Sequence, residues 1–593
     1  MCLNLKVLEL LKPASMDAST RQPCLDGTRI EIRNELIGRL SRPHNNLHCQ
    51  VVWVFGLAGS GKSTLLNSIA EHFRALGQCG AFVFFDRSDP VNSDPSRVIP
   101  TLAYHLARFS PLFARNLDEQ IQARRDIFQS SLPAQFQTLL EEPSKAVAAL
   151  TYHSPIIIII DGLDECGTER SRKPLLEILS KRIQNLAPVF QILVASRDEK
   201  DIRFAFSPRN INATPFPLPT GDDATSRDIA QYFQKRLRSI AECSELAPDW
   251  PGPEAIEKLT ECAGGLFIWA STAVAFIEDG LLPEDRLPIV LNLSTQGKSL
   301  TKLHELYQVT LAEQFKSLRN DELEIVRQVL GAIVVTRERL TDEVLSGLLG
   351  LEQSKVQRIL SRLRSLLQWS PGEPIIVLHA SFPDFLGDPG QCTDSRWHID
   401  LPAHHRGLAT GCFGIMRGGL RFNICGLETS YFKNKAIDGI EERIDQNITA
   451  DLMYGCQYWA DHLDLGLAGD LDGGFSNEIS IFLRERFLFW LEVFSLKDRC
   501  HAVSTILSTA ANWCKVWQSR SSRGTKSSSF FHKTGTWSGA GVGHFGRAEI
   551  CEDVWASDFS ECSTRLSVGV AIFAFGVIFD STLEPGVPKH SSG

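Results

Sequence analysis

Eight consecutive residues, Gly56-Leu57-Ala58-Gly59-Ser60-Gly61-Lys62-Ser63, have the types and spacing that bind phosphate. Glycines let the backbone pass close enough to phosphate oxygens for successive N–H groups to point at them, and the lysine adds a point charge on the β and γ oxygens. The hydroxyl of Ser63 is of the kind that holds Mg2+. Thr64 opens a stretch in which Leu65, Leu66, Ile69, Phe73 and Leu76 recur at helical spacing, so the positive end of that helix faces the same phosphates. Before the loop, Val52-Trp53-Val54-Phe55 has strand character. The segment Gly56 to Thr64 therefore implies a binder of nucleoside triphosphate.

About a hundred residues on, Ile156-Ile157-Ile158-Ile159-Ile160 runs into Asp161-Gly162-Leu163-Asp164-Glu165. Such an isoleucine run suits a strand buried on both faces of a parallel sheet. An acid at its carboxyl end sits where nucleotides bind in open α/β sheets, so Asp161 is the candidate for ordering Mg2+ with Ser63. Asp164 or Glu165, just beyond, is placed to polarise an attacking water. A helix N-cap is the other use of such an acid cluster, and the phosphate loop elsewhere in the chain favours the metal. A further strand, Phe190 to Ala195, ends in Ser196-Arg197. Arg197 at a strand tip either senses the γ-phosphate or forms a surface ion pair.

These stretches resemble the NACHT family of signal-transduction NTPases, in the STAND class alongside the apoptotic and plant disease-resistance ATPases. Cys24-Leu25-Asp26-Gly27-Thr28-Arg29, Phe82-Val83-Phe84-Phe85-Asp86-Arg87, the Asp161 to Glu165 box and Ala195-Ser196-Arg197 look like large fungal NACHT proteins, over residues 20 to about 515. The resemblance implies an ATP/ADP-gated switch with slow hydrolysis, ATP or ADP with Mg2+ as its cofactors, and innate-immunity or incompatibility-type signalling. Protein partners or self-oligomerisation on activation are implied with it. In related STAND proteins Gly-Leu is followed by a proline that packs on the base. Here Phe267 follows Gly265-Leu266, and its ring suits either adenine or the core. A histidine at the end of the winged helix contacts the β-phosphate of ADP in that class. His379 falls in a comparable place, flanked by Leu378 and Ala380 instead of the family's Met and Asp; otherwise a histidine at a strand end is structural.

The architecture so implied is an α/β P-loop NTPase core, a parallel sheet with helices on both faces, followed by a helical subdomain, a winged helix and an all-α C-terminal region. Its expected boundaries are a lead-in over 1–45, the core over 46–220, the helical subdomain over 221–300, the winged helix over 301–392, C-terminal helices over 393–517 and a flexible or poorly folded tail over 518–593. Pro215, Pro217 and Pro219 mark the end of the core. The winged helix is expected from helices near Leu323 to Val335, Thr341 to Leu349 and Ser354 to Leu367, with a strand pair around Pro371-Gly372. Lys355, Arg358 and Arg362 share one face of its third helix, as a DNA-reading module or any solvated helix does. The aromatic run Ile479 to Phe494 suits a helix in the core, or a seat for a partner domain.

At 593 residues and 43% hydrophobic content the chain has room for several cores. A formal net charge of −9 without a basic block makes nucleic acid an unlikely partner. Fifteen cysteines without paired Cys-x-x-Cys spacing read as reduced thiols of a cytoplasmic protein, and His404-His405 offers no metal site. The N-terminus makes a poor signal peptide, and Val568 to Phe579 falls short of the roughly 18 residues that span a bilayer, so no membrane is expected. No repeat of propeller period is found. Two other readings remain open: a kinase-like P-loop phosphotransferase, and a nucleotide-dependent DNA-binding regulator acting through the winged helix.

Overall fold

Five strands rich in β-branched and aromatic residues form one parallel sheet: β1 (Gln50–Phe55), β2 (Cys79–Phe84), β3 (Ile156–Asp161), β4 (Phe190–Ser196) and β5 (Ala213–Pro217), in the order β2-β3-β4-β1-β5. The computed structural model describes residues 8, 10–14, 23–41, 50–148, 154–207, 213–429, 432–467 and 474–524. Period-two alternation sends the side chains of each strand to opposite faces. Val51, Trp53, Ile158, Ile160, Ile192 and Val194 pack with the helices Val98–Phe109 and Pro111–Ala123. Val52, Val54, Ile157, Ile159 and Leu193 pack with Ile30–Leu40 and Lys62–Ala75. The sheet is thus covered on both sides, and Leu36 and Leu40 of the lead-in belong to its core.

Order matters more than size for the site. β4 lies between β1 and β3, so the loop after β1, Arg197 after β4 and the acid box after β3 come to one edge of the sheet, each about 5 Å from the next strand. Pro215 and Pro217 lie within β5, at the sheet edge, where a missing N–H removes no interior ladder bond.

Asp222 accepts from Thr225 N at 3.1 Å and caps the helix Asp223–Cys243. The helices Pro253–Ala263, Phe267–Glu278, Pro283–Leu291 and Ser299–Gln314 complete a helical subdomain. Asn320–Val335, Asp342–Leu349 and Gln353–Ser361 then precede an antiparallel pair, β6 (Leu367–Gln368) and β7 (Ile376–Val377), which is a winged helix. Buried Asp342 accepts from Gln357 Nε2 (2.6 Å), Gln353 Nε2 (3.1 Å) and Gly372 N (2.8 Å), tying two helices to the wing. The third helix ends at Ser361, short of the expected Leu367: tight turns at Leu363 and Leu366 follow, and Leu367 pairs with Val377 in the wing.

The run 479–494 is two helices, Gly474–Glu485 and Phe487–Leu496, broken at Arg486, whose guanidinium donates to the Leu420 carbonyl at 2.5 Å. Phe482, Trp490 and Phe494 are buried, so the aromatics are core. The helix Val503–Gly524 continues past residue 517, so 518–524 are helical where a linker was expected. The serine- and glycine-rich stretch after it, and Val568 to Phe579, lie outside the described residues. One apolar cluster runs from Ile229 in the helical subdomain through the winged helix to Cys514.

Candidate functional site

The phosphate loop bends where glycine permits it. Gly59 and Gly61 have φ of +76° and +89°, a left-handed conformation that side chains disfavour. A Cβ at Gly59 would lie 1.9 Å from Cγ2 of Ile268, and Ile268 N donates to the Gly59 carbonyl at 3.1 Å, so the helical subdomain rests directly on the loop. A Cβ at Gly265 would come 1.3 Å from the Thr220 carbonyl oxygen, a second close backbone approach between the same two parts. Lys62 Nζ donates to the carbonyls of Gly56 (3.0 Å) and Leu57 (2.7 Å). Burial lowers the pKa of this ammonium, while the charges of Asp164, Asp161 and Glu165 pull it upward. All three acids of the box therefore face the loop lysine. Ser63 and Thr64 begin the helix behind it, half-buried.

Asp161 ends β3 fully buried. Asp164 is buried as well, and both its oxygens serve Arg197: Arg197 N donates to Oδ1 at 2.8 Å and Nε lies 3.2 Å from Oδ2. Arg172 holds the turn from behind, donating to the Asp164 carbonyl (2.9 Å) while paired with Asp201 (2.7 Å) and Glu199. Glu165 is half-buried and accepts from Arg87 N at 3.3 Å.

Arg197 has a second acid. Its Nη1 donates to Oδ2 of Asp384 at 2.7 Å, and Arg87 Nη1 donates to the other oxygen at 2.9 Å. Burial acts to lower the Arg197 pKa, but the bond and charge of Asp384, with Asp164 and Glu165, outweigh it and raise it. Asp384 stands on the short helix Ser381–Gly387 that follows the wing. His379 precedes that helix: its Nδ1 is 2.7 Å from Ser381 Oγ, which is 2.8 Å from the Tyr307 hydroxyl. Its Cε1 is 3.7 Å from the Cβ position of Gly59, which puts the imidazole beside the phosphate loop.

On the other side of the loop, buried Arg29 donates to the Ser60 carbonyl (3.1 Å) and the Thr225 hydroxyl (2.9 Å), and its guanidinium lies 5.0 Å from the Phe267 ring centre. Phe267 is half-buried, with the Cβ position of Gly61 3.7 Å from its ring. Arg29, Arg87, Arg172 and Asp384 carry no role in the sequence reading. Arg29 and Arg87 end two of the quoted motifs, and Asp384 lies five residues past His379, which are the signals that point to them. On the winged helix, Lys355 pairs with Glu352 at 3.8 Å, Arg358 donates to its own helix at Ser354, and Arg362 donates to the Gln314 carbonyl and lies over Phe315.

The donor set fits a nucleotide with Mg2+. Two left-handed glycines form a cradle that side chains would obstruct, the hydroxyl of buried Ser60 has no partner among the described residues, and the charges of three carboxylates act on the loop lysine.

Residues 40–197 match the family model described as Nephrocystin 3, N-terminal, a description that carries nothing of the fungal group. No curated protein matches the chain. Among solved structures the chain is similar to a Signal Transduction ATPase with Numerous Domains (STAND) protein with a tetratricopeptide repeat sensor from Pyrococcus horikoshii, at 12% identity over 94% of this chain and 72% of that one, TM-score 0.37. It is also similar to Cdc6p of Pyrobaculum aerophilum (10% identity, 68% of this chain and 97% of that one, TM-score 0.28). A third is Orc1 of Aeropyrum pernix in complex with DNA (14%, 63% and 94%, TM-score 0.27). No functional assignment rests on likenesses at these scores. Loop, acid box, strand-tip arginine and strand order together have the form of a P-loop NTPase core, and the family match falls on that same core. No described helix is long and apolar enough to cross a membrane.

Proposed function

We propose that the chain is an ATP/ADP-gated switch with slow hydrolysis, working through protein partners or self-assembly in the cytoplasm, in signalling of the innate-immunity or incompatibility type. In this reading Gly56, Leu57, Ala58, Gly59, Ser60, Gly61, Lys62 and Thr64 cradle the phosphates, and Ser63 and Asp161 hold Mg2+, which neutralises developing phosphate charge. Asp164 positions Arg197, and Glu165 orients the water. The observation that carries it is Asp384: the arginine that would answer the γ-phosphate is bound to an acid on the helix that follows the wing strands. If Arg197 turns to phosphate it gives up part of its hold on that helix, so nucleotide state and domain arrangement compete for one guanidinium. Taking such a switch from 1:99 to 99:1 needs about 5.5 kcal/mol of differential affinity.

The test is to denature the purified chain and identify the released nucleotide. Bound ADP supports a resting switch; a nucleotide-free chain that transfers phosphate to a small acceptor would replace it with the phosphotransferase reading. DNA binding has less support, because Arg362 and Lys355 are engaged within the protein. A gel shift with duplex DNA would revive it.

His379 and Asp384 make distinguishable contributions. His379→Ala is expected to weaken ADP by about 1–3 kcal/mol, leave ATP nearly unchanged and quicken ADP release, since a donor to the β-phosphate is lost. Asp384→Asn is expected to quicken release without touching the nucleotide, by freeing Arg197 and Arg87. Fluorescent-ADP release rates decide both. Rates equal to the wild type in the first variant would make His379 a packing residue; in the second they would remove the latch.

A further inference from the structure

Away from the phosphate loop, a cleft of about 770 Å3 opens where three parts of the chain meet. The core contributes Arg97, the wing Trp369, and the C-terminal helices Tyr458, Arg499 and His501. Arg339, also in the wall, ties the winged helix to the core through Asp86 and Ser88. The volume lies within the range of sites that take small molecules.

Two features of its lining ask for an acceptor. The indole N–H of Trp369 is buried with no hydrogen-bond partner among the described residues, an arrangement that costs free energy unless a ligand or water meets it. The acids around the cleft are largely engaged by the protein. Glu338 takes the Tyr458 hydroxyl at 3.1 Å, Asp94 takes Ser96 N and Oγ at 2.9 and 2.8 Å, and Asp89 takes Val91 N and Asn92 Nδ2, both at 2.9 Å. Arg499, by contrast, is in no ion pair among the described residues and donates to the neutral Gln457 side chain at 2.6 Å. Among the described residues Arg97 pairs with Asp94 alone, at 4.0 Å, and Glu373 stands at the exposed rim.

We propose that this cleft binds a small anionic ligand, a carboxylate or phosphate on a flat apolar body, with the body against Trp369 and the anion met by Arg499, Arg97 and the Trp369 N–H. Burial lowers the pKa of His501 in the same wall, and Lys12, Arg97 and Arg499 lower it further while Asp498 raises it. A ligand so seated touches core, winged helix and C-terminal helices at once, and therefore favours the arrangement in which the three are together.

The test uses the full chain in excess Mg-ADP at constant ionic strength. Inorganic phosphate and N-acetylphenylalanine are titrated separately against the melting temperature, with chloride and the uncharged N-acetylphenylalaninamide as controls. A concentration-dependent rise is expected with at least one anion and with neither control, lost in Arg499→Gln and diminished in Trp369→Phe, which keeps an aromatic ring, though a smaller one, and removes the N–H. A rise with phosphate alone assigns a phosphorylated ligand, and one with the carboxylate alone a carboxylic acid. No rise above chloride, or a rise that survives in Arg499→Gln, overturns the site. Neither substituted residue lies at the phosphate loop, so unchanged Mg-ADP binding in both variants separates this result from any failure of the nucleotide reading.

Discussion

Lys62→Ala is expected to leave a folded chain that no longer binds ATP or ADP at micromolar concentration. The ammonium sits in a place where burial disfavours its charge, so removing it relieves a desolvated cation and does not empty a core. Arg197 is bound to Asp164 and Asp384 and, even when turned to the γ-phosphate, does not replace the charge that Lys62 places on the β oxygens. Titration of fluorescent ATP, with circular dichroism to confirm folding, checks it. Wild-type affinity in the folded variant would sink the assignment of the loop.

Replacing Asp164 by Asn and Glu165 by Gln together is expected to preserve binding and lower hydrolysis about 100-fold or more, the scale of a lost general base. The single variants refine this. Glu165→Gln should carry most of the loss, because both oxygens of Asp164 already serve Arg197. Asp164→Asn should instead loosen Arg197. Phosphate release under single-turnover conditions reads both; turnover equal to wild type in the double variant removes both acids from catalysis.

What local sequence reveals here follows from how local each interaction is. The phosphate loop is contiguous, and the isoleucines of β3 announce a doubly buried strand, so the core could be read directly. The wing could be anticipated, but the end of its third helix could not, since Leu367 leaves the helical pattern for a partner ten residues on. Arg486 carries no breaker signal; its bond to the Leu420 carbonyl is a tertiary event. The contacts that organise the site are more remote still: Arg197 meets Asp384 across 187 residues, and Arg29 meets Thr225 across 196. No periodicity encodes such pairs. Their partners were visible only as residues at the ends of motifs.

The close approach of Gly265 to Thr220, with the bond from Ile268 to Gly59, has a mechanical consequence. Backbone against backbone, joined by a directional bond, acts as a pin: it admits neither sliding nor a gap. The helical subdomain is therefore locked to the floor of the nucleotide site and must travel with it. Beyond it, the contact with the winged helix is mostly apolar side chain on apolar side chain, with side-chain bonds at Tyr307–Ser381 and Arg362–Gln314, a surface more tolerant of the small translations and rotations of shear. In the proposed switch, displacement set off at the phosphates would thus be passed over by the first helices and delivered to the later ones, which hold the core through the arginine–aspartate pairs at Asp384 and Asp86 and a hydroxyl bond at Ser88.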